Sequence, residues 1–253
     1  MSTNTRRTNT RRTNTRRTSQ GTHTTTQPNT GIEPLALLRL FQLVSPALPV
    51  GAYAYSQGLE YAVQAGWVAD EAGTFEWLQG LCCHALGTMD LPILLRLHAA
   101  WQDNDTPALE RWNGELIAAR ESAELRAEER HLGTALARVL MELDIAEART
   151  WLEQSPAFAT MFALAAVRWQ IAPHATLSGY LWAWIENQVL AAMKLVPLGQ
   201  SAGQRLLHRL TDALPGIVER ALTLPEQAIG VSAVSQVMAS ALHESQYSRL
   251  FRS

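Results

Sequence analysis

Of the four stretches whose side chains could do chemistry, none assembles an active site by itself. In 118–133, AARESAELRAEERHLG, Glu121, Glu124 and Glu128 fall within about a 60° arc of one predicted helix face, at roughly 100° per residue. Leu125 and Leu132 share that face. Carboxylates set into a leucine stripe are either buried against arginines or part of a surface that another protein completes; the plain alternative is a charged solvated helix. Metal ligation by the glutamates is a weaker reading. Cys82-Cys83-His84 offers thiolate and imidazole ligands. Three consecutive helical residues diverge by about 100° each, however, and do not close on one ion, so buried cysteines are expected. His98, His131, His174, His208 and His243 show no ligand spacing, and no phosphate-binding GxxxxGK[ST] loop or nucleophile elbow is present. No catalytic residue, no metal ligand and no tightly bound cofactor is predicted.

The remaining stretches carry large or polar groups in unusual places. In 48–60, LPVGAYAYSQGLE, Pro49 and Gly51 set a bend followed by Tyr53 and Tyr55, which either pack on the domain or face a partner. The segment 243–253, HESQYSRLFRS, puts Tyr247, Leu250 and Phe251 at i, i+3 and i+4, with Arg249 and Arg252 between them. Chain ends fray unless something ties them down, so these groups predict a tail that orders on docking. The contiguous Glu186-Asn187-Gln188 interrupts an apolar helix and predicts hydrogen bonds to a neighbouring helix.

The element that must position these stretches is 179–196, GYLWAWIENQVLAAMKLV, about 27 Å long as a helix and apolar on most sides. Its polar triplet and Lys194 argue against a membrane span, leaving the axle of a helical domain. Pro34 to Val44 is a short apolar helix, and Ser56 is a candidate cap for the next. Asp70 or Thr74, Asp90 with Pro92, Thr106 with Pro107, Ser155 with Pro156, and Ser201 are further helix starts; a last helix covers 228–243. No run alternates with period two between hairpin turns. The expected fold is all-α: one bundle of about ten helices around 179–196, with domain limits of 32–246 and a tail at 247–253.

The chain has 253 residues, 47% of them hydrophobic, and eight tryptophans, enough for a sizeable core. Residues 1–31 contain three TNTRR repeats, with six arginines and no acid; since the whole chain carries −2, the remainder stands at −8. Low hydrophobicity predicts a disordered extension there, outside the fold. An acidic body excludes nucleic acid as its expected partner. Two adjacent cysteines predict no structural disulfide, and without an apolar leader segment the expected location is cytoplasmic.

Four ordered stretches, LPVGAYAYSQGLE at 48–60, ARESAELRAEERHLG at 119–133, GYLWAWIENQVLAAMKLVPLGQSAGQRLL at 179–207 and HESQYSRLFRS at 243–253, resemble the urease accessory protein UreF family. The likeness runs from about residue 35 to 253 and omits the repeat. Ser122 stands where threonine is expected, and Ala52 and Ala54 where serines are common. The resemblance implies a non-catalytic scaffold or chaperone working with UreD (also called UreH) and the GTPase UreG in GTP-dependent nickel insertion into apo-urease. It implies a homodimer, nickel handled by the complex and GTP bound by UreG. Tyr247, Ser248, Arg249, Leu250, Phe251, Arg252 and Ser253 would dock on UreD. Arg120, Glu121, Glu124, Glu128, Tyr53 and Tyr55 complete the expected partner-binding set. A GTPase-activating arginine from among Arg120, Arg126 and Arg130 is an alternative.

Overall fold

The computed structural model describes residues 1–3, 32–230 and 233–253. From residue 4 onward, the extension expected over 1–31 lies outside the described residues. Residues Ile32–Ser253 form one compact unit of twelve α-helices among the described residues, without strands. Local chemistry sets most starts. Glu33 caps α1 (Pro34–Val44) by accepting from the N–H groups of Leu35 and Ala36. Asp70 caps α3 (Glu71–Leu81) through Gly73 N–H, and Asp105 caps α5 (Thr106–Ala118) through Ala108 N–H. Between α1 and α3, the proline-rich loop leads through a 3₁₀ turn (Ala52–Ala54) to α2 (Leu59–Gln64).

Several predicted helix starts shift: α2 is capped at Gly58 and not Ser56, the helix expected from Ser155 starts after Ala157, and the last helix opens at Val234 and not 228. Two further expectations give way. Asp90 does not start a helix: α3 continues through a π-helical segment (Cys82–Asp90) into α4 (Leu91–Asp103). Leu91 N–H bonds the Leu86 carbonyl five residues back, and Pro92, which has no N–H to place, follows that wide turn. The chain therefore passes the proline without stopping. The resulting rod, Glu71–Asp103, is 33 residues long and apolar enough to cross a membrane by length and composition, but 61% of its most apolar window is buried inside the fold.

The second expectation concerned 118–133 as one helix. Helix α5 ends at Ala118, and Ser122 takes up extended backbone to cap α6 (Ala123–Glu142), its Oγ accepting from Leu125 N–H. Glu121 thus lies in the break and points to solvent, off the face shared by Glu124 and Glu128.

After α7 (Glu147–Leu152), α8 (Phe158–Arg168) is the fully enclosed helix, with residues 159–166 all buried between α4 and α6. Its alanines let those neighbours approach closely. Helix α9 (Pro173–Leu195) begins six residues earlier than the predicted axle, with Pro173 in its first turn. It packs on α1, α2, α4 and α8 and on α10 (Gln200–Thr211) and α11 (Leu214–Thr223), so it is central in its contacts. It is not surrounded, because Leu190 is exposed and Trp184, Glu186 and Asn187 are half-buried. A separate small core joins Leu59, Val68, Ala191, Val196 and Phe251 with Ala239 of α12 (Val234–His243).

Close approach of α6 to the chain entering α8 requires Gly133: a Cβ there would lie 1.9 Å from the Pro156 carbonyl oxygen. Gly133→Ala is expected to lower stability by about 2–3 kcal/mol, since backbone must move. Gly114, in α5 with open space around it, should gain up to about 1 kcal/mol as alanine. Denaturant midpoints of the two variants check this; equal shifts would contradict it.

Candidate functional site

The tail is seated on its own chain. Glu60 of α2, 7% exposed, accepts from the backbone N–H groups of Leu250 (2.7 Å) and Phe251 (2.8 Å), and His243 Nε2 lies 3.3 Å from the same side chain. Arg252 N–H donates to the Ala54 carbonyl at 2.8 Å. The Ser253 carbonyl oxygen accepts from Ser56 N–H (2.7 Å), Gln57 N–H (3.1 Å) and Ser56 Oγ (2.6 Å). Gln57 and Gly58 hold left-handed backbone, at φ 53° and 85°, so consecutive N–H groups converge on one oxygen. Lys194 Nζ sits 5.4 Å from the ring centroid of buried Phe251. Glu124 ties the last helix to the tail, bonding His243 Nδ1 (2.7 Å) and accepting from Arg249 (2.8 Å).

The segment expected to order on docking is seated here on its own chain, its main chain finding donors and acceptors within the fold. Phe251 and Ser253 are buried, whereas Tyr247, Ser248, Arg249, Leu250 and Arg252 face outward. Val234, Met238 and Leu242, one row of α12, are exposed as well. Tyr53 is exposed. Tyr55 is buried, its hydroxyl 3.1 Å from His131 Nδ1.

Beneath the tail, Glu128 joins three distant stretches. It accepts from Ser253 Oγ (3.0 Å) and from Gln57 Nε2 (2.7 Å), while Gln57 Oε1 accepts from Trp184 Nε1 (2.8 Å) and Gln236 Nε2 (3.3 Å). Burial pushes the Glu128 carboxyl up to about 7, with the hydrogen bonds from Gln57 and Ser253 pulling the other way and neighbouring Glu129 adding to the rise. Asn187 of the polar triplet donates to the Ala52 carbonyl at 3.0 Å. It thus bonds a 3₁₀ turn, where a neighbouring helix was expected. Gln188 is buried with neither side-chain polar atom hydrogen-bonded among the described residues, against the same expectation.

Arg120 lies in a charge cluster, its side chain 19% exposed. Its guanidinium is bonded to both Asp90 oxygens and donates to Glu129 Oε2 at 2.8 Å; Glu129 Oε1 also accepts from Phe158 N–H at 2.7 Å. Burial alone would loosen the Arg120 proton, but Asp90 and Glu129 outweigh it and hold the group firmly charged. Arg126 donates to the Arg120 carbonyl at 2.7 Å, and Arg130 faces solvent. Cys82 is buried while His84 is exposed, so the CCH triplet does not converge. Among the described residues no three His, Cys, Asp or Glu side chains are placed to share a metal ion.

Sequence reasoning missed Gln57, Glu60 and Glu129, and it gave Ser56 and Asp90 only as helix starts and His243 only as a histidine without ligand spacing. Glu60 and His243 lie 183 residues apart, and no local spacing relates them. Glu129 was passed over because it sits about 100° from Glu128 on the helix. The only local signal was SQGLE itself, a polar-glycine turn ahead of an acid.

Because Glu128 binds its proton more tightly folded than unfolded, its contribution is complete below the ordinary carboxylate range and is lost as pH rises to about 7. The loss is about 3 kcal/mol at most. Glu128→Gln should therefore gain on the native protein in melting temperature between pH 5 and pH 8. Parallel melting curves across that range would show that Glu128 does not titrate there.

A model of the UreF family matches residues 68–211. The chain is 51% identical to the urease accessory protein UreF of Alkalilimnicola ehrlichii, over 90% of this chain and 99% of that one. It is 49% identical to that of Teredinibacter turnerae (86% and 98% covered) and 47% to that of Hahella chejuensis (87% and 99%). With the family match spanning more than half of the sequence and the relatives aligned almost end to end, the chain belongs to the UreF family of urease accessory proteins.

Proposed function

We propose that this chain is the non-catalytic scaffold of a UreD–UreF–UreG assembly that inserts nickel into apo-urease with GTP hydrolysis on UreG. The observation that carries the reading is the surface made by the tail and α12. A fixed main chain turns Tyr247 and Leu250 outward beside Val234, Met238 and Leu242. Exposed apolar groups in a row mark interaction sites, and a seated main chain lowers the ordering entropy lost on binding. UreD is the partner we assign to this surface. The exposed row Leu35, Leu38 and Phe41 on α1 is a second apolar face, suited to self-association across a two-fold axis. Nickel is cargo in this reading and GTP belongs to UreG, so the chain itself holds no resident cofactor; it works in the cytoplasm, away from membrane and nucleic acid.

A GTPase-activating arginine finds little support in Arg120, whose fork is occupied by Asp90 and Glu129. The scaffold reading is tested without disturbing the small core, since Tyr247 and Leu250 are exposed whereas Phe251 is not. Tyr247→Asp with Leu250→Asp should reduce co-purification with UreD by about tenfold or more, as charge replaces apolar contact. The melting temperature should stay within about 2 °C of the native value. Undiminished co-purification would remove the tail from the partner surface.

A further inference from the structure

A cavity of about 130 Å³ lies among α1, the 45–57 loop, α6 and α9, and the scaffold role leaves it unused. Leu48, Leu86, Leu132 and Phe158 are among its apolar walls, and exposed Tyr53 and Leu190 belong to its rim. Its polar lining includes Asp90, Glu128, Glu129, Glu186, Arg120 and Tyr180. Four carboxylates thus stand against one guanidinium, which is already bonded to Asp90 and Glu129. The hydrogen bonds to Glu128 come from neutral groups only, Gln57 and Ser253. Tyr180 adds an independent sign. It is 6% exposed, its ring is held edge-on by Phe162 at 5.2 Å between centroids, and its hydroxyl has no hydrogen-bond partner among the described residues.

We infer that this cavity binds an organic cation, an ammonium or guanidinium head on a short apolar stem, with the head between Glu128 and Tyr180. The volume suits such a ligand, since a dry apolar cavity of about 150 Å³ takes up benzene. An anion would meet four carboxylates. A wholly apolar occupant would displace solvent from the Tyr180 hydroxyl on the cavity lining and give it no partner in return. A bare divalent ion needs oxygen ligands on all sides, and the walls here are mainly aliphatic and aromatic. Burial, together with Asp90 and Glu129, raises the Tyr180 phenol well above its ordinary range, so it remains a neutral hydroxyl able to accept from the head group. The cation has two possible sources, a free amine or a basic side chain of a partner protein.

Titration calorimetry on the full chain with n-butylammonium, n-butanol and butyrate tests the site, because the three share a four-carbon stem. Butylammonium should bind about tenfold more tightly than either of the others, the margin expected when a buried charge is matched. Glu128→Gln and Tyr180→Phe should each weaken it by about fivefold, the loss of one hydrogen bond. Tyr180→Phe keeps the ring packing and leaves the tail contacts untouched, so it decides the matter should Glu128→Gln loosen the tail. Equal binding of butanol or butyrate, displacement by magnesium at matched concentration, or unchanged affinity in Tyr180→Phe would overturn the assignment. Saturating the chain with its partner proteins separates the sources: lost butylammonium binding identifies a partner's basic side chain, and retained binding identifies a free amine. Either result is independent of the UreD pull-down.

Discussion

One buried carboxylate, Glu60, takes two successive backbone N–H groups from a segment 190 residues away, and the shape of the tail surface depends on it. A carboxylate without partners in that position would be strongly unfavourable, and so would the unsatisfied N–H groups of Leu250 and Phe251 beside it. Each requirement meets the other. Because hydrogen bonds to a charged acceptor are short and directional, the pairing fixes the direction of the tail as well as its presence. Phe251 then falls into the small core and Leu250 turns to solvent.

Around that contact the polar groups form one connected set. Ser253 joins the 56–57 turn to Glu128, Gln57 joins Glu128 to α9 and α12, and His243 joins Glu60 to Glu124. Buried networks of this kind specify a single arrangement only when nearly every member is satisfied. The network also separates two faces of the molecule. Outside it lie the exposed apolar groups of the tail and α12; inside it lies a cavity whose charged lining is paired at Asp90 and Glu129 with Arg120, while Glu128 is hydrogen-bonded to neutral groups.

Family membership and these contacts account for different properties. Membership of the UreF family ties the chain to urease maturation as an accessory protein, and the contacts decide which of its surfaces are free. The rigid α3–π–α4 rod and the enclosed α8 supply a scaffold that keeps those surfaces in place. The π segment ends at Asp90, so the wide turn that carries the chain past Pro92 also sets the carboxylate that receives Arg120.

Helical periodicity, caps such as Asp70 and the apolar run at 179–196 were sufficient for an all-α fold, because those signals act between residues a few positions apart. The same local reading placed Glu124 and Glu128 together on one face, and it picked out the tail as unusual for a chain end. It failed where a local preference was overruled or a partner was remote. Ser122 ended a helix that charge spacing alone would have continued, and the π turn carried a helix through Pro92. Glu60 meets Leu250, Gln57 meets Trp184, and Arg120 meets Asp90 only after the helices pack. Sequence by itself therefore determined the helices and the candidate stretches, since backbone hydrogen bonding and amphipathic burial repeat at short intervals. Tertiary structure alone decided which polar groups are satisfied and which face outward, because desolvation depends on the neighbours that folding brings from elsewhere in the chain.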